Sequence, residues 1–318
     1  MAETGVNIEK AKATLETGGL VAIPTETVYG LAANGFNATA VSNIFKAKNR
    51  PSFDPLILHS NSIEKIKSFT KDIPEAALAL AEAFWPGSLT LVLPKQDMVP
   101  PIVTSGLDTV GVRIPKHPLT LQLLESIPFP LAAPSANPFG YVSPTTAVHV
   151  NNNLGTKVDY ILDGGACEVG VESTIVGFPN GVPTIFRKGG LAIEEIEKII
   201  GKVEVQATSS SKPSAPGMLE KHYSPGIKLE IGNIPELMKA HQGKNFAVLS
   251  FKDIYDEVPA PFMKVLSKSG DLTEAARNLF AFLRYFSEVK PEIIFTELLP
   301  ENGLGTAIND RLKRAAAQ

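Results

Sequence analysis

The sequence predicts an α/β protein: a mixed-sheet domain followed by a smaller, Rossmann-like α/β domain. Three observations carry this. Short apolar runs of strand length alternate with amphipathic stretches of helix length. The connections are of mixed kind, some helical and others tight turns, as a sheet with both parallel and antiparallel neighbours requires. The composition also changes abruptly at Ala207, where residues 208–217 are rich in Ser, Pro and Gly. The expected divisions are residues 1–207, a linker at 208–227 and a second domain at 228–318.

In the first domain, residues 20–23 read as an apolar strand ahead of a hydroxyl-rich turn. Residues 40–48 read as a helix with Val41, Ile44 and Phe45 on one face. A strand at 55–59, a helix at 75–84 and strands at 89–93 and 110–114 follow. Then come a helix at 119–127, a strand-like run at 130–133, strands at 160–162, 173–178 and 184–187, and a closing helix at 193–200. Beyond the linker the pattern gives a strand at 246–250, an amphipathic helix at 272–286, a strand at 293–295 and a terminal helix at 307–316. No GxGxxG follows the first strand, which weighs against a standard dinucleotide-binding domain.

Composition narrows the classes. A chain of 318 residues is long enough for two domains with a core in each. Its 44% hydrophobic and 20% charged content is that of a globular protein. No apolar run reaches the roughly 18–20 residues of a membrane span, and no secretory leader pattern opens the chain. The single cysteine, Cys167, excludes a disulfide framework within the chain and a multi-cysteine zinc site, and fits a reduced, cytoplasmic setting. A net charge of −3 argues against broad coating by nucleic acid.

The chemistry concentrates between Ile23 and His59. Pro24-Thr25-Glu26-Thr27-Val28-Tyr29-Gly30-Leu31 sets two hydroxyls, a carboxylate and a phenol between an apolar strand and a glycine. A loop with only a connecting role would more often be Gly, Asn, Asp and Ser. Lys48 and Arg50 then stand two apart before Pro51, and local extension would bring their heads together. Such a pair suits a polyanion, a planar fork beside a compact charge, or equally a solvated helix end. His59 ends the apolar run Pro55-Leu56-Ile57-Leu58. Farther on, Pro134-Ser135-Ala136-Asn137-Pro138 and Ser143-Pro144 form a small-residue loop that could approach a ligand with backbone amides, or simply turn the chain. Arg113 lies between apolar neighbours, where an inward guanidinium would need an anionic partner.

Taken together and in this order, the Pro-Thr-Glu-Thr turn, Lys48-Asn49-Arg50-Pro51, the Pro-Leu strand ending in His59 and Ser135-Ala136-Asn137 resemble the threonylcarbamoyl-AMP synthase family, the YrdC-type enzymes. The resemblance covers roughly residues 7 to 205, and the remainder resembles the family's long form with a linker and C-terminal domain. It implies a YrdC-like twisted mixed sheet and an ATP-dependent nucleotidyl transfer. L-threonine, bicarbonate (or CO2) and ATP would give threonylcarbamoyl-AMP and pyrophosphate, the first step of N6-threonylcarbamoyladenosine formation in tRNA.

The same resemblance implies the site residues. Threonine would meet Thr27, His59, Arg113, Ala133 and Ser173. ATP would meet Lys48, Arg50, Thr109, Ser135, Asn137, Ser143 and Arg187, with Lys48 and Arg50 stabilising the reacting phosphates. Mg2+ would be held mainly by those phosphates and by no dedicated protein ligands. Lys221-His222-Tyr223-Ser224-Pro225 resembles the family segment that folds over the chamber, so His222 or Tyr223 is expected at the nucleotide. The resemblance also implies a downstream threonylcarbamoyl transferase as partner, and no need of tRNA in this step. The chain departs from the family pattern at Asp54, a carboxylate where Asn is usual, close enough to pair with Lys48 or Arg50 or to help hold Mg2+. Two other classes are a carbamoyl-transfer domain, whose accompanying zinc-finger modules a single cysteine excludes, and a non-catalytic RNA-binding module, which the acidic balance disfavours.

Overall fold

Apolar runs of three to six residues become strands here because both faces of each are covered. In the computed structural model, which describes residues 1–206 and 222–317, Val21–Ile23 and Ile57–His59 are buried at every position. The strands of the first domain are β1 (Glu3–Gly5), β2 (Val21–Ile23), β3 (Gly30–Asn34), β4 (Ile57–His59), β5 (Leu89–Pro94) and β6 (Thr109–Arg113), then β7 (Leu131–Ala132), β8 (Tyr160–Leu162), β9 (Thr174–Gly177), β10 (Thr184–Arg187) and β11 (Glu204–Val205). Among the described residues they form one sheet in the order β1-β8-β2-β3-β7-β4-β6-β5-β9-β10-β11. Pairing is mixed, as expected: β4 runs parallel to β6 but antiparallel to β7, and β5 antiparallel to β6 but parallel to β9.

Alternation along these strands divides the sheet into two faces. Leu58, Leu91, Leu93, Val110 and Val112 point into the main core beneath the helices. Ile57, Val92, Ile175 and Phe186 form a separate cluster on the opposite face, the one that carries the site. Parallel pairing sets His59 directly beside Arg113. Several elements of this domain were not expected from sequence, among them the helices Ile8–Glu16 and Ile63–Phe69, β1, β3 and the helix Ala147–Leu154. β3, Gly-Leu-Ala-Ala-Asn, has few β-formers and is held as a strand by β2 and β7. The helix Ala147–Leu154 is short, and β1 survives only as an edge beside β8.

The second domain contains β12 (Lys228–Ile231), β13 (Phe246–Ser250), β14 (Met263–Val265) and β15 (Ile293–Thr296) in the order β12-β15-β13-β14, all parallel. Ala247, Val248, Leu249, Ile294 and Phe295 are wholly buried, the near-continuous apolar reading of a parallel sheet covered on both faces. Its helix Leu272–Val289 starts at Asp271, whose side chain accepts from the Thr273 and Glu274 N–H groups. The apolar face of this helix shares a core with Val28, Val142 and Val171 of the first domain. Gly170 marks a close approach of the two: its φ is +79°, and a Cβ there would lie 2.4 Å from Arg277 Cα. Of the predicted linker at 208–227, residues 208–221, with Lys221 of its final motif, lie outside the described residues, and 222–227 are described.

Candidate active site

One end of the pocket is built by strand ends and the hydroxyl-rich turn. The Thr25 hydroxyl donates to Val28 O at 2.6 Å and accepts from Thr27 N–H at 3.1 Å, which curls the turn upon itself. Its one proton is therefore committed, so in the 2.8 Å contact between the two hydroxyls Thr27 is the donor and keeps lone pairs for the pocket. Glu26 reaches the other way. Its Oε1 accepts from Arg113 Nη2 at 2.6 Å and from Ser88 Oγ at 3.1 Å, and its Oε2 from Lys116 N–H at 2.8 Å. Arg113 also donates through Nε to Gly87 O at 3.1 Å. Burial pushes the Glu26 carboxyl upward, but Arg113 and the Lys116 N–H outweigh it and hold the group below its ordinary value. The inward Arg113 thus has the anionic partner that its burial demands, and its five-donor guanidinium can serve a second carboxylate.

His59 is neutral. Burial first, then the Arg113 charge, lowers its pKa to about 3. Its Nδ1 is buried with no hydrogen-bond partner among the described residues, an acceptor or donor waiting for a ligand.

The other end carries the cations. The helix Ala38–Lys48 is capped by Asn37, whose side chain accepts from Thr39 and Ala40 N–H, and ends at Asn49 in the left-handed conformation (φ +53°). The chain turns there instead of extending as expected from sequence, and Arg50 still lies close enough for its charge to act on the Lys48 amine. Lys48 Nζ donates to the carbonyls of Ser135 and Asn137. Burial, then the nearby Arg50, holds its amine well below the usual lysine range. Arg50 turns into the pocket. The small-residue loop therefore presents carbonyls to Lys48, while its Ala136 N–H is spent on Tyr29 O at 2.8 Å.

Arg187 donates to Ser173 O at 3.0 and 2.9 Å and to Ser173 Oγ at 3.1 Å, and Ser173 Oγ also meets Thr90 Oγ1 at 2.7 Å. Burial lowers the Arg187 guanidinium to about 10. Glu172 stands between the domains: Oε1 accepts from Ser143 Oγ at 2.6 Å, and Oε2 from Arg311 Nε and Nη2 at 3.1 and 3.0 Å. Burial opposes ionisation of Glu172, but Arg311 and Arg187 prevail and bring its pKa to about 2. Tyr223, at φ +67° and 1% exposed, stacks on Phe280 at 5.4 Å, with the Arg311 and Arg314 guanidiniums 5.4 and 5.2 Å from its ring centre. His222, beside it, closes the pocket wall.

Of the residues singled out from sequence, Thr27, Arg50, His59, Arg113, Ala133, Ser135, Ser173, Arg187, His222 and Tyr223 line one cavity. Four do not. Lys48 and Asn137 lie behind the Ser135 loop; Asn137 Nδ2 donates to the Pro138 and Tyr141 carbonyls at 2.8 Å. Ser143 supports Glu172. Thr109 is on the same face as Arg113 but four residues earlier on β6, roughly 13 Å away at strand spacing. It lines a second cavity with Val92, Phe178 and Phe186, beyond an apolar ridge. Sequence reasoning did not assign Glu26, Glu172, Arg284 or Arg311. Arg284 donates to the carbonyls of Val142 and Ser143, and so fixes the strap that carries Ser143. Among the described residues no group of three or more His, Cys, Asp or Glu could hold a metal by itself, and no helix is long and apolar enough to cross a membrane.

A mixed α/β domain with a buried two-ended polar pocket, closed by a strap that a second α/β domain holds, has known counterparts. Residues 13–189 match the Sua5/YciO/YrdC family, described as "Telomere recombination", and residues 191–317 match the family "Threonylcarbamoyl-AMP synthase, C-terminal domain". The threonylcarbamoyl-AMP synthase of Pyrococcus abyssi is 42% identical over 97% of this chain and 94% of its own, and that of Bacillus subtilis 41% over 97% and 92%. The crystal structure of P. abyssi Sua5 complexed with L-threonine superposes with a TM-score of 0.92 at 40% identity, covering 100% of this chain and 98% of that one. The chain belongs to the Sua5/YrdC family, in its two-domain form.

Proposed function

We infer that the protein is an L-threonylcarbamoyladenylate synthase, making threonylcarbamoyl-AMP for the first step of N6-threonylcarbamoyladenosine formation in tRNA. One observation carries this reading beyond family membership: a single cavity joins an end lined by Thr27, His59 and the Glu26-paired Arg113 to a cationic end at Arg50 and Arg187. Arg113, aimed by Glu26, would take the threonine carboxylate. The Thr27 lone pairs would accept from the threonine amine, with His59, Ala133 and Ser173 as walls.

The chemistry needs no covalent nucleophile. Threonine nitrogen adds to CO2 and loses a proton, giving a carbamate. A carbamate oxygen attacks the α-phosphorus, the α–β phosphoanhydride P–O bond breaks, and pyrophosphate leaves. The protein would hold the two substrates in line and stabilise phosphate charge through Arg50 and Arg187, with Lys48 holding the Ser135–Asn137 loop and reaching the phosphates if that loop yields. His222 and Tyr223 would cover the nucleotide and Ser135 would border it, with Asn137 and Ser143 supporting that wall from behind; a contact with Thr109 would require the base to reach past the apolar ridge. Mg2+ is proposed to arrive with ATP. Asp54 and Glu172 are already paired with arginines, so phosphate oxygens would supply most of its ligands. The enzyme is proposed to work in the cytoplasm, without tRNA, and to pass its product to a threonylcarbamoyl transferase.

The test is pyrophosphate release from Mg·ATP with threonine and bicarbonate omitted in turn, alongside mass spectrometry for a new AMP adduct. Release that requires both, with the adduct, is the expected result. Release that requires neither would defeat the reading.

A further inference from the structure

Arg50 faces the pocket, yet its guanidinium is already engaged by its own loop. Nε donates to Asp54 O at 3.1 Å, Nη2 to Pro55 O at 2.9 Å, and Nη2 stands 2.9 Å from Asp54 Oδ2. The two side chains are 5% and 1% exposed. The other carboxylate oxygen, Asp54 Oδ1, is buried with no partner among the described residues. A buried carboxylate with one oxygen unsatisfied is costly, and most such groups find a donor.

The charges around Asp54 come from four elements and are all positive: Arg50 in the same loop, Lys48 at the end of the helix Ala38–Lys48, Arg187 on β10 and Arg314 on the last helix. Even so, burial outweighs them and raises the Asp54 carboxyl above its ordinary value. Asp54 therefore occupies, in the free protein, the electrostatic place that a phosphate would take.

We infer that Asp54 is a resident counter-anion, that nucleotide phosphates compete with it for Arg50, and that Mg·ATP binding is coupled to uptake of one proton by Asp54. The inference rests on reading this end of the pocket as the phosphate site. A second anion brought to Arg50 places like charges side by side in a low-dielectric setting, which favours protonation of the carboxylate. The protonated acid gains an O–H, so the unsatisfied oxygen acquires a use as donor to a phosphate oxygen. Because the bound pKa lies above the free one, affinity is greatest below the free value. It weakens by up to about tenfold per pH unit as pH rises between the two. Asp54 is thus a positioning residue: it holds Arg50 in place until phosphates arrive, and then yields it.

Calorimetry of Mg·ATP binding without threonine or bicarbonate, over about pH 6 to 8 in buffers of different ionisation enthalpy, counts the protons taken up. The wild type is expected to take up close to one proton over part of that range and to lose affinity as pH rises. Asp54→Asn, isosteric and permanently neutral, is expected to bind more tightly at the upper end, with a flatter profile and less uptake. Equal uptake in both proteins would place the proton on another depressed base, Lys48 or His222, and overturn the inference. No uptake by the wild type would overturn it without any variant, even should Asp54→Asn fail to fold. Absence of Mg·ATP binding by a folded wild type would instead defeat the phosphate-site reading and carry this inference with it.

Discussion

The two ends of the pocket are built on opposite electrostatic plans. At the threonine end every charge is matched inside one domain: Arg113 is paired with Glu26, and Glu26 is tied to Ser88 and the Lys116 N–H. At the phosphate end three basic groups, Lys48, Arg50 and Arg187, are all held below their usual pKa values by burial. Its walls come from far along the chain, through Glu172, Arg311 and the Tyr223 strap. The threonine end is therefore set before ligand arrives. The phosphate end is under electrostatic tension that an incoming polyanion relieves.

The largest expected effect lies at the end under tension. Arg50→Ala should lower kcat/KM for ATP by about 100- to 1,000-fold, the usual cost of losing one preorganised charge donor. Equilibrium binding of threonine should barely change. If threonine affinity fell equally, the two ends would be a single electrostatic unit and the contrast would be lost. Arg113→Lys probes the other plan by keeping the charge and losing the fork. It should raise the KM for threonine about 10- to 100-fold, the worth of one hydrogen bond to a charged group, and leave ATP binding near wild type.

Much of this contrast was readable in the sequence, but unevenly. The turn at Thr25–Thr27, the strand end at His59 and the cations at 48 and 50 lie within about forty residues, so their order alone marks a site. Glu26 and Glu172 were invisible as site residues because their partners stand 87 and 139 positions away, at Arg113 and Arg311, and only folding joins them. The roles of Lys48 and Thr109 turned on geometry that spacing does not convey. Lys48, the last residue of its helix, points into a loop of carbonyls from a distant stretch of chain, and four residues of β6 carry Thr109 away from Arg113 to a separate cavity. In the second domain β13 and β15 were readable as apolar runs, while β12 and β14, with half-exposed residues, were not. The domain's grip on the pocket was not readable either, since Arg284, Arg311 and Gly170 look like ordinary helix and loop residues.

That grip gives the next test. Gly170→Ala sets a methyl against the backbone of the helix Leu272–Val289, at a φ that disfavours any side chain. It should cost about 2–4 kcal/mol of stability, read as a lowered Tm. In the protein that remains folded, ATP binding should suffer more than threonine binding. Equal loss at both ends would show that the domain contact supports the whole pocket. Acid tests the same contact. With its folded pKa near 2 against an ordinary 4.5, Glu172 contributes stability that is present above pH 4.5 and is lost as pH falls through about 2. Wild-type Tm should therefore decline more steeply over that window than that of Glu172→Gln.

The smallest expected effect is the absence of one, and it bears on the threonine end alone. A histidine with an ordinary pKa would gain charge near pH 6.5 and add a cation beside Arg113, bringing to this end the tension found at the other. With its pKa lowered to about 3 by burial and by Arg113, His59 stays neutral throughout the working range. Its imidazole C–H proton shifts should then stay flat from about pH 8 down to pH 5, and threonine affinity should show no inflection near 6.5. Burial is the first reason and the Arg113 charge the second; Glu26 favours the protonated ring but is itself committed to Arg113 and does not offset them. An inflection near 6.5 that disappears in His59→Gln would show that the threonine end, too, waits for its ligand to settle its charge.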